Sequence, residues 1–403
     1  MTAQLAIKTR QNVLFVHQAS ELYGSDKVLL YLASGMVGRP HFWPIVVLPD
    51  RGPLWDELVA AGVEVHVGEI AKVKRSVFSP GGFVGLLRKL RVTLKHYDAI
   101  VAGRPIALVH SNTLAVLGGV FWAWRRRTLH LWHVHEIILS PTLVSKAFPL
   151  LARLGSDKLM SNSTLTERWL LDTQPALKSR SVVVFNGLPV QAEPPPLAVD
   201  AFRATTAAAP GDLLIVLAGR LNHWKGQGLL IEAAHLLGLQ GGLAGVHFLL
   251  VGDVALGQDS VRDQLVAQVA ELGLSASFSF VPFVADIRPV WAAAAIAVVP
   301  STEPEPFGMV AIEAMAAGVP VVAAAHGGLL DIVEHERTGL LFAPRDAQAL
   351  ALALQRLIAQ PELRQVLGQA GRLRQVALFS ASSQVAATEQ VYADMLQHAH
   401  STQ

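Results

Sequence analysis

Leu213-Leu214-Ile215-Val216-Leu217-Ala218-Gly219-Arg220-Leu221-Asn222-His223-Trp224-Lys225-Gly226 opens the second half of the chain. Its six leading apolar residues read as a strand buried on both faces. Gly219 ends the run, and Arg220 and Lys225 follow in a loop. That places two cations at the carboxyl end of a strand, where doubly wound sheets bind ligands. Arg offers a planar fork and Lys a point charge, a pair suited to a phosphate or diphosphate. The plainer alternative is two solvated loop cations.

Outward from this stretch, short apolar runs alternate with helix-length segments in both directions, the pattern of parallel sheets covered by helices. The second half continues with His247–Val251, Ser277–Phe280, Ile296–Val299 and Val319–Val322. The first half offers Val13–Val16, Pro44–Leu48, Val63–Val67, Ile100–Val101, Leu108–Val109 and Thr128–His133. The apolar stretch Ile106–Trp124 is broken by His110, Ser111 and Asn112, so it reads as strand, loop and helix rather than a membrane span. Between the halves lies Gln191-Ala192-Glu193-Pro194-Pro195-Pro196, then Ala/Thr-rich sequence to Gly211, a linker by composition. The expected organisation is a first domain at 1–190, a Pro-rich hinge at 191–210, a second domain at 211–380 and a final segment at 381–403, helical near Ala386–His398.

Composition agrees with that division. The chain has 403 residues, 52% hydrophobic and 16% charged, with no cysteine. At roughly 100–200 residues per domain it holds two or three domains. Such a composition excludes a disordered chain, and the missing cysteines exclude thiol catalysis, Cys-ligated metals and disulfides. No apolar run of signal-peptide length is visible at the start. The net charge of +2 hides an asymmetry: residues 1–190 carry 22 Lys+Arg against 12 Asp+Glu, and residues 191–403 carry 11 against 19. The first half favours anionic partners, and the second must hold any anion with local devices.

Two further segments follow strands of the second half. In Pro300-Ser301-Thr302-Glu303-Pro304-Glu305-Pro306-Phe307-Gly308-Met309-Val310-Ala311-Ile312-Glu313-Ala314-Met315-Ala316-Ala317-Gly318 a Pro-rich loop leads to a helix from about Phe307 to Gly318. The backbone amides near Phe307, Gly308, Met309 and Val310 are then unsatisfied donors at a helix start, an anion site. Glu305 and Glu313 lie slightly over two turns apart and are acceptors for hydroxyls. A sugar nucleotide offers that combination, a diphosphate with hydroxyls. The alternatives are a helix-capping Glu305 and a solvated Glu313. In Ala325-His326-Gly327-Gly328-Leu329, the two glycines let the backbone approach a ligand closely. No G-x-G-x-x-G, Walker or Asp-x-Asp pattern is present, so Arg220, Lys225 and the helix start stand where other enzymes use a metal ion.

These segments together resemble the donor domain of the retaining GT-B glycosyltransferases, the large family numbered four. "GRLNHWKG" supplies Arg220 and Lys225, "EPFGMVAIEAMAAGVPVV" the Glu-x7-Glu element of Glu305 and Glu313, and Gly327-Gly328 the Gly-Gly turn. "VGDVALG", "FVPFVADIRPVWAAAAIAVVPS" and "TGLLFAPRD" match in order, with Asp331 where Glu is frequent. In the first half, "YGSDKVLL" resembles the usual "GGAERVLL" turn, so Gly24 and Ser25 would bring amides to the donor phosphates. "LWHVHEI" resembles the loop carrying an active-site histidine. His133 and His135 share one face if their strand continues, and the pattern favours His135 without excluding His133. Asn162-Ser163 and Asn186-Gly187 also fit.

The resemblance implies an α/β fold of two Rossmann-like doubly wound domains facing across a cleft, acceptor domain first. It implies a retaining, metal-independent hexosyl transfer from a nucleotide-diphosphate sugar to a glycan or lipid-linked acceptor, in polysaccharide or glycolipid synthesis. No cofactor is implied beyond the nucleotide sugar as co-substrate. Glu305 would bind sugar hydroxyls and Glu313 the ribose, with base contacts through the backbone around Val281–Asp286. A histidine would meet the sugar and stabilise developing charge. The basic set Lys72, Lys74, Arg75, Arg88, Lys89, Arg91, Lys95 and Arg125–Arg127, beside Phe121, Trp122 and Trp124, suits an anionic membrane surface. Leu86, Leu87, Leu90 and Leu94 would face the core. The expected location is the cytoplasm, or the inner membrane face as a peripheral protein. No motif supports nucleic-acid binding. The rivals are an epimerase or phosphorylase of the same fold, a non-catalytic sugar-nucleotide binder and an anionic-surface binding protein.

Overall fold

The computed structural model describes residues 10–72, 80–138, 142–254 and 257–401. Lys74 and Arg75 of the basic set, residues 1–9 and Ala255-Leu256 lie outside them. The chain forms two compact units. Unit 1 is the chain up to Pro189 together with Ser380 onward, and unit 2 is Val190–Phe379.

Unit 1 is built on β1 (Gln11–His17), β2 (Phe42–Leu48), β3 (Glu64–Val67), β4 (Ile106–Asn112), β5 (Leu129–Val134), β6 (Lys158–Ser161) and β7 (Ser181–Val183), all parallel, in the order β3-β2-β1-β4-β5-β6-β7. Successive residues of β1 serve opposite faces, as the pleat requires. Val13 and Phe15 join Leu29, Leu32, Leu54, Leu58 and Tyr392 on one face, while Leu14 and Val16 meet Tyr97, Val101 and Trp122 on the other. Burying each such aliphatic side chain contributes about 1.5–3 kcal/mol. Tyr392 belongs to the last helix, Ala381–Ser401, which packs on the helix Gly24–Met36.

Unit 2 is built on β8 (Leu213–Ala218), β9 (Val246–Val251), β10 (Phe278–Val281), β11 (Ile296–Val299), β12 (Val321–Ala324) and β13 (Gly339–Phe342), again parallel, in the order β10-β9-β8-β11-β12-β13. The helices Gln227–Leu239 and Ala347–Ala359 pack together in unit 2, as do Met309–Ala316 and Pro361–Leu378. In each sheet the strand order reverses once, between β1 and β4 and between β8 and β11. Crevices outside the carboxyl ends of strands at such points are where open α/β sheets bind ligands.

Several expectations are corrected. Ile100–Val101 is not a strand but the end of the helix Pro80–Val101, whose Tyr97 and Val101, one turn apart, both reach the core. The Pro-rich segment is not wholly linker: Pro196–Ala204 is a helix packed on the helix Arg288–Ala293. Proline at a helix start loses an amide that would have no intrahelical partner and fixes a helical φ. Leu87 is 46% exposed on the helix Pro80–Val101, beside exposed Val84, instead of facing the core. The helix after the Pro-rich loop starts at Met309 rather than Phe307, because Gly308 before it sits at φ 122°. Ile106–Trp124 divides into β4, a loop and part of the helix Gly118–Arg126, and no helix among the described residues is long and apolar enough to cross a membrane.

Candidate functional site

At the end of β8 the chain turns through Gly219, at φ 146°, and exposes Arg220. Asn222 then closes a turn, its Oδ1 accepting from the amides of Trp224 at 3.1 Å and Lys225 at 2.9 Å. Such a side-chain turn is a local habit of Asn. It directs Lys225 toward the carboxyl end of β11. There Lys225 Nζ donates to Glu305 Oε1 at 2.7 Å, and Ser301 Oγ donates to the same oxygen at 2.5 Å. The Lys225 and Glu305 side chains are 17% and 7% exposed. Lys225 Nζ also lies 4.4 Å from the centre of the Trp224 ring. The two loops are stitched by Thr302 N–H donating to Trp224 O at 2.7 Å. Gly226, at φ 83°, passes so close to Pro300 that a Cβ would lie 2.0 Å from its carbonyl oxygen.

The Gly-Gly turn lies against the chain's own backbone. A Cβ on Gly327 would lie 2.6 Å from Glu305 N and O, and one on Gly328 would lie 2.5 Å from Phe307 Cα. Gly328 N–H donates to Glu305 O at 2.8 Å. These glycines therefore let two backbones meet and set the height of Glu305. Gly308 is buried against Leu329 for the same kind of reason. Met309 and Val310 are half-buried at the head of their helix, Phe307 is buried just before it, and Glu313 is half-buried one turn in. Glu305 is thus outside the helix and ion-paired, and the structure brings Lys225 and Glu305 together.

In unit 1 the predicted residues fall after β1 and at the carboxyl end of β5. Gly24 and Ser25 open the helix Gly24–Met36, with Gly24 exposed. His133 and His135 are both buried, with ring centres 3.9 Å apart. His135 Nε2 lies 2.7 Å from Asn112 Oδ1, and His133 Nδ1 lies 3.2 Å from His110 Nε2. Burial, then the neighbouring imidazoles, holds His135 and His133 well below the ordinary histidine range. Burial pushes Glu136 above its usual value against the amides of Leu114 and His135, which donate to it.

Sequence reasoning missed Ser301, Trp224 and Asn222 in unit 2, and His17, Asn112, His110 and Tyr392 in unit 1. A usable signal existed for three of them: His17, His110 and Asn112 are polar residues at or near the end of an apolar strand run. Tyr392 carried none, since its partner His110 is far away in the chain. Among the described residues no three His, Asp or Glu side chains are grouped to hold a metal ion.

Residues 199–374 match the family model described as "Glycosyl transferases group 1". A D-inositol 3-phosphate glycosyltransferase of Nocardia farcinica is 32% identical over 287 residues, 67% of this chain and 61% of that protein. One of Rhodococcus opacus is 34% identical over 208 residues, 51% of this chain and 46% of that protein. The chain thus spans about half the length of the curated relatives it matches. Among solved structures, Anabaena Alr3699/HepE in complex with UDP and glucose superposes with TM-score 0.78 at 25% identity, over 94% of this chain and 98% of that one. A glycosyltransferase of Rickettsia africae shares the fold with TM-score 0.81 at 20% identity, over 96% and 99%.

Proposed function

Because the chain belongs to the group 1 glycosyl transferases, we propose that it moves a sugar from a nucleotide-diphosphate donor to a glycan or lipid-linked acceptor, with retention and without a metal ion. The observation that carries this is the Lys225–Glu305–Ser301 cluster at the strand-order reversal of unit 2. A leaving diphosphate gains charge, and fixed cations and dipoles stabilise it as it develops. Lys225 is held for that task by Glu305 and the Trp224 ring, and Arg220 supplies a second cation. The amides of Gly308, Met309 and Val310 are assigned to the diphosphate, Glu305 and Glu313 to sugar and ribose hydroxyls, and Gly24, Ser25, His133 and His135 are proposed as further donor-binding residues. UDP is the first nucleotide to try, since the Anabaena protein was solved with UDP and glucose.

The acceptor reading rests on the surface of unit 1. Trp124 is 81% and Leu154 75% exposed, among exposed Phe121, Leu150 and Leu151. Arg88, Arg91 and Lys95 are exposed on the helix Pro80–Val101. Two of the three arginines at 125–127 are partly neutralised, since Arg125 and Arg126 both bind Asp98 at 2.6 Å. Apolar side chains among cations suit the surface of an anionic bilayer and a lipid-linked acceptor held there. Sedimentation with anionic vesicles, and not with neutral ones, is the expected result.

The deciding experiment is titration calorimetry with UDP-, GDP- and ADP-sugars, first in EDTA and then in Mg2+, followed by NMR of the product's anomeric centre. Binding of one donor regardless of metal, with an α-linked donor giving an α-linked product, supports the proposal. Binding with no turnover on any acceptor favours a non-catalytic binder. Conversion of the donor sugar to its epimer favours an epimerase.

A further inference from the structure

We propose that Asp26, His17 and Asn112 are positioning residues that hold His135 in its Nε2–H form, so that its buried Nδ1 accepts a hydrogen bond from a ligand hydroxyl. The direction of each bond follows from groups that can play only one role. Ser25 O is a carbonyl and can only accept, and Asn112 Nδ2 lies 3.3 Å from it. That long contact selects the amide orientation of Asn112, and the shorter bond from Nδ2 to His17 Nδ1, at 3.0 Å, is what holds it. His17 Nδ1 must carry the lone pair, which makes its 3.3 Å approach to Asn112 O a contact and not a bond. The proton of His17 is then on Nε2, which donates to Asp26 Oδ1 at 2.7 Å.

The other end of the same amide sets His135. Asn112 Oδ1 can only accept, so His135 Nε2, at 2.7 Å, donates. Reversing any one bond would face donor to donor or acceptor to acceptor at the next, so the chain has a single polarity. Burial keeps His135 neutral, and Nδ1 is therefore a bare acceptor. It has no partner among the described residues, on a side chain that is only 8% exposed. An unpaired buried acceptor is costly unless something supplies the donor. A hydroxyl does so, whereas a phosphate oxygen, itself an acceptor, does not. His133 lacks this definition, because Tyr392 Oη, 2.6 Å from His110 Nδ1, can donate or accept. The identification of the hydroxyl as a sugar's rests on the transferase reading; the tautomer does not.

The test is a long-range 1H–15N correlation spectrum of the full chain labelled in its histidines, with His135 assigned through His135→Gln. The expected spectrum at neutral pH shows His135 and His17 protonated on Nε2 and bare on Nδ1. His17→Leu should mix the His135 tautomers and weaken UDP-glucose about tenfold, the worth of one hydrogen bond to a buried group. His17→Gln, whose amide can accept from Asn112 and donate to Asp26, should restore both. Adding UDP-glucose should shift the His135 Nδ1 resonance, and UDP alone should not. A proton on Nδ1 in the wild type, or a His17→Leu spectrum with the tautomer unchanged, overturns the positioning role. Bound UDP-glucose that leaves Nδ1 unmoved overturns the hydroxyl contact. If UDP-glucose and the other donors fail to bind, the transferase reading and the sugar contact fall together, while the unliganded spectrum still decides the tautomer.

Discussion

Replacing Lys225 by methionine keeps an apolar stem beside Trp224 and removes only the charge. The structure sets the cost. Glu305 would keep Ser301 Oγ as a partner but lose the ammonium 2.7 Å away, in a site where its side chain is 7% exposed. Breaking one half of a buried pair costs about 3–5 kcal/mol, because the remaining charge is left uncompensated. Lys225 is itself 17% exposed, so water can partly replace it, and the lower end, about 3 kcal/mol, is expected. In a unit the size of Val190–Phe379 each kcal/mol moves Tm by about 2–4 °C, so Lys225→Met should melt unit 2 about 6–12 °C early. Glu305→Gln alone strands the lysine and should also destabilise. The double variant buries no charge and should recover most of the loss. Calorimetric scans of the four proteins close the cycle. Two single variants that each cost under about 1 kcal/mol, with an additive double, would show the pair behaving like an exposed ion pair. The reasoning that makes Glu305 the holder of Lys225 would then be refuted.

Gly327→Ala should cost more than about 2 kcal/mol and abolish donor binding, because φ is +68° and the new Cβ would press on Glu305, whereas Gly241→Ala, at φ +73° with open space, should cost only about 1–2 kcal/mol; paired urea titrations check this. The Arg104 guanidinium, bonded to Glu64 beside His66 and Trp43, holds the Glu64 carboxyl at about 2 instead of 4.5, so its stabilisation is complete above pH 4.5 and is lost as pH falls toward 2. The stability gap between wild type and Glu64→Gln should close over that window. Burial holds His130 at about 4 against its ordinary 6.5, so the unfolded chain takes up the proton first and stability falls on acidification between those values. That loss is on the order of 3 kcal/mol, and denaturation of His130→Gln between pH 7 and pH 4 should show a shallower slope than wild type.

The sheets were legible because consecutive apolar residues such as Leu214–Leu217 signal a strand buried on both faces, and five of the expected runs became strands in each sheet, β1–β5 and β8–β12. The strands β6, β7 and β13 escaped notice: Lys158–Ser161 and Ser181–Val183 each set only two apolar residues beside polar ones, and Gly339–Phe342 opens on a glycine. In the site, Arg220, Lys225 and Glu305 were legible from their place after strands, but the pairing of Lys225 with Glu305 was not. That pairing depends on how far apart two loops stand, which is decided by Gly226 against Pro300 and Gly327 against Glu305. Such close approaches are fixed by tertiary packing, and a glycine in sequence does not say what it approaches. His17 and Asn112 were hidden for a related reason: they are register partners across β1 and β4, and register is a property of the folded sheet.

The same topology carries opposite chemistry in the two units, and bulk charge predicts neither. Unit 1 belongs to the basic half, yet its strand-order reversal is lined by His17, Asn112, His135 and Asp26 joined in one hydrogen-bonded chain, with Lys72 beside it bonded to Gln18 O. Unit 2 belongs to the acidic half, yet its reversal holds Lys225, with Arg220 exposed alongside. Net charge acts over a Debye length of about 8–10 Å in ordinary salt, so it governs what approaches the outer surface. A group inside a crevice instead feels partners within hydrogen-bond reach. The excess of cations in residues 1–190 therefore bears on exposed helices such as Pro80–Val101, where the proposed anionic surface would dock. The proposed donor site would need only the few cations that the turn after β8 holds in place. Neutralising the exposed Arg88, Arg91 and Lys95 should accordingly weaken vesicle binding and leave UDP-sugar affinity unchanged, while Lys225→Met should do the reverse.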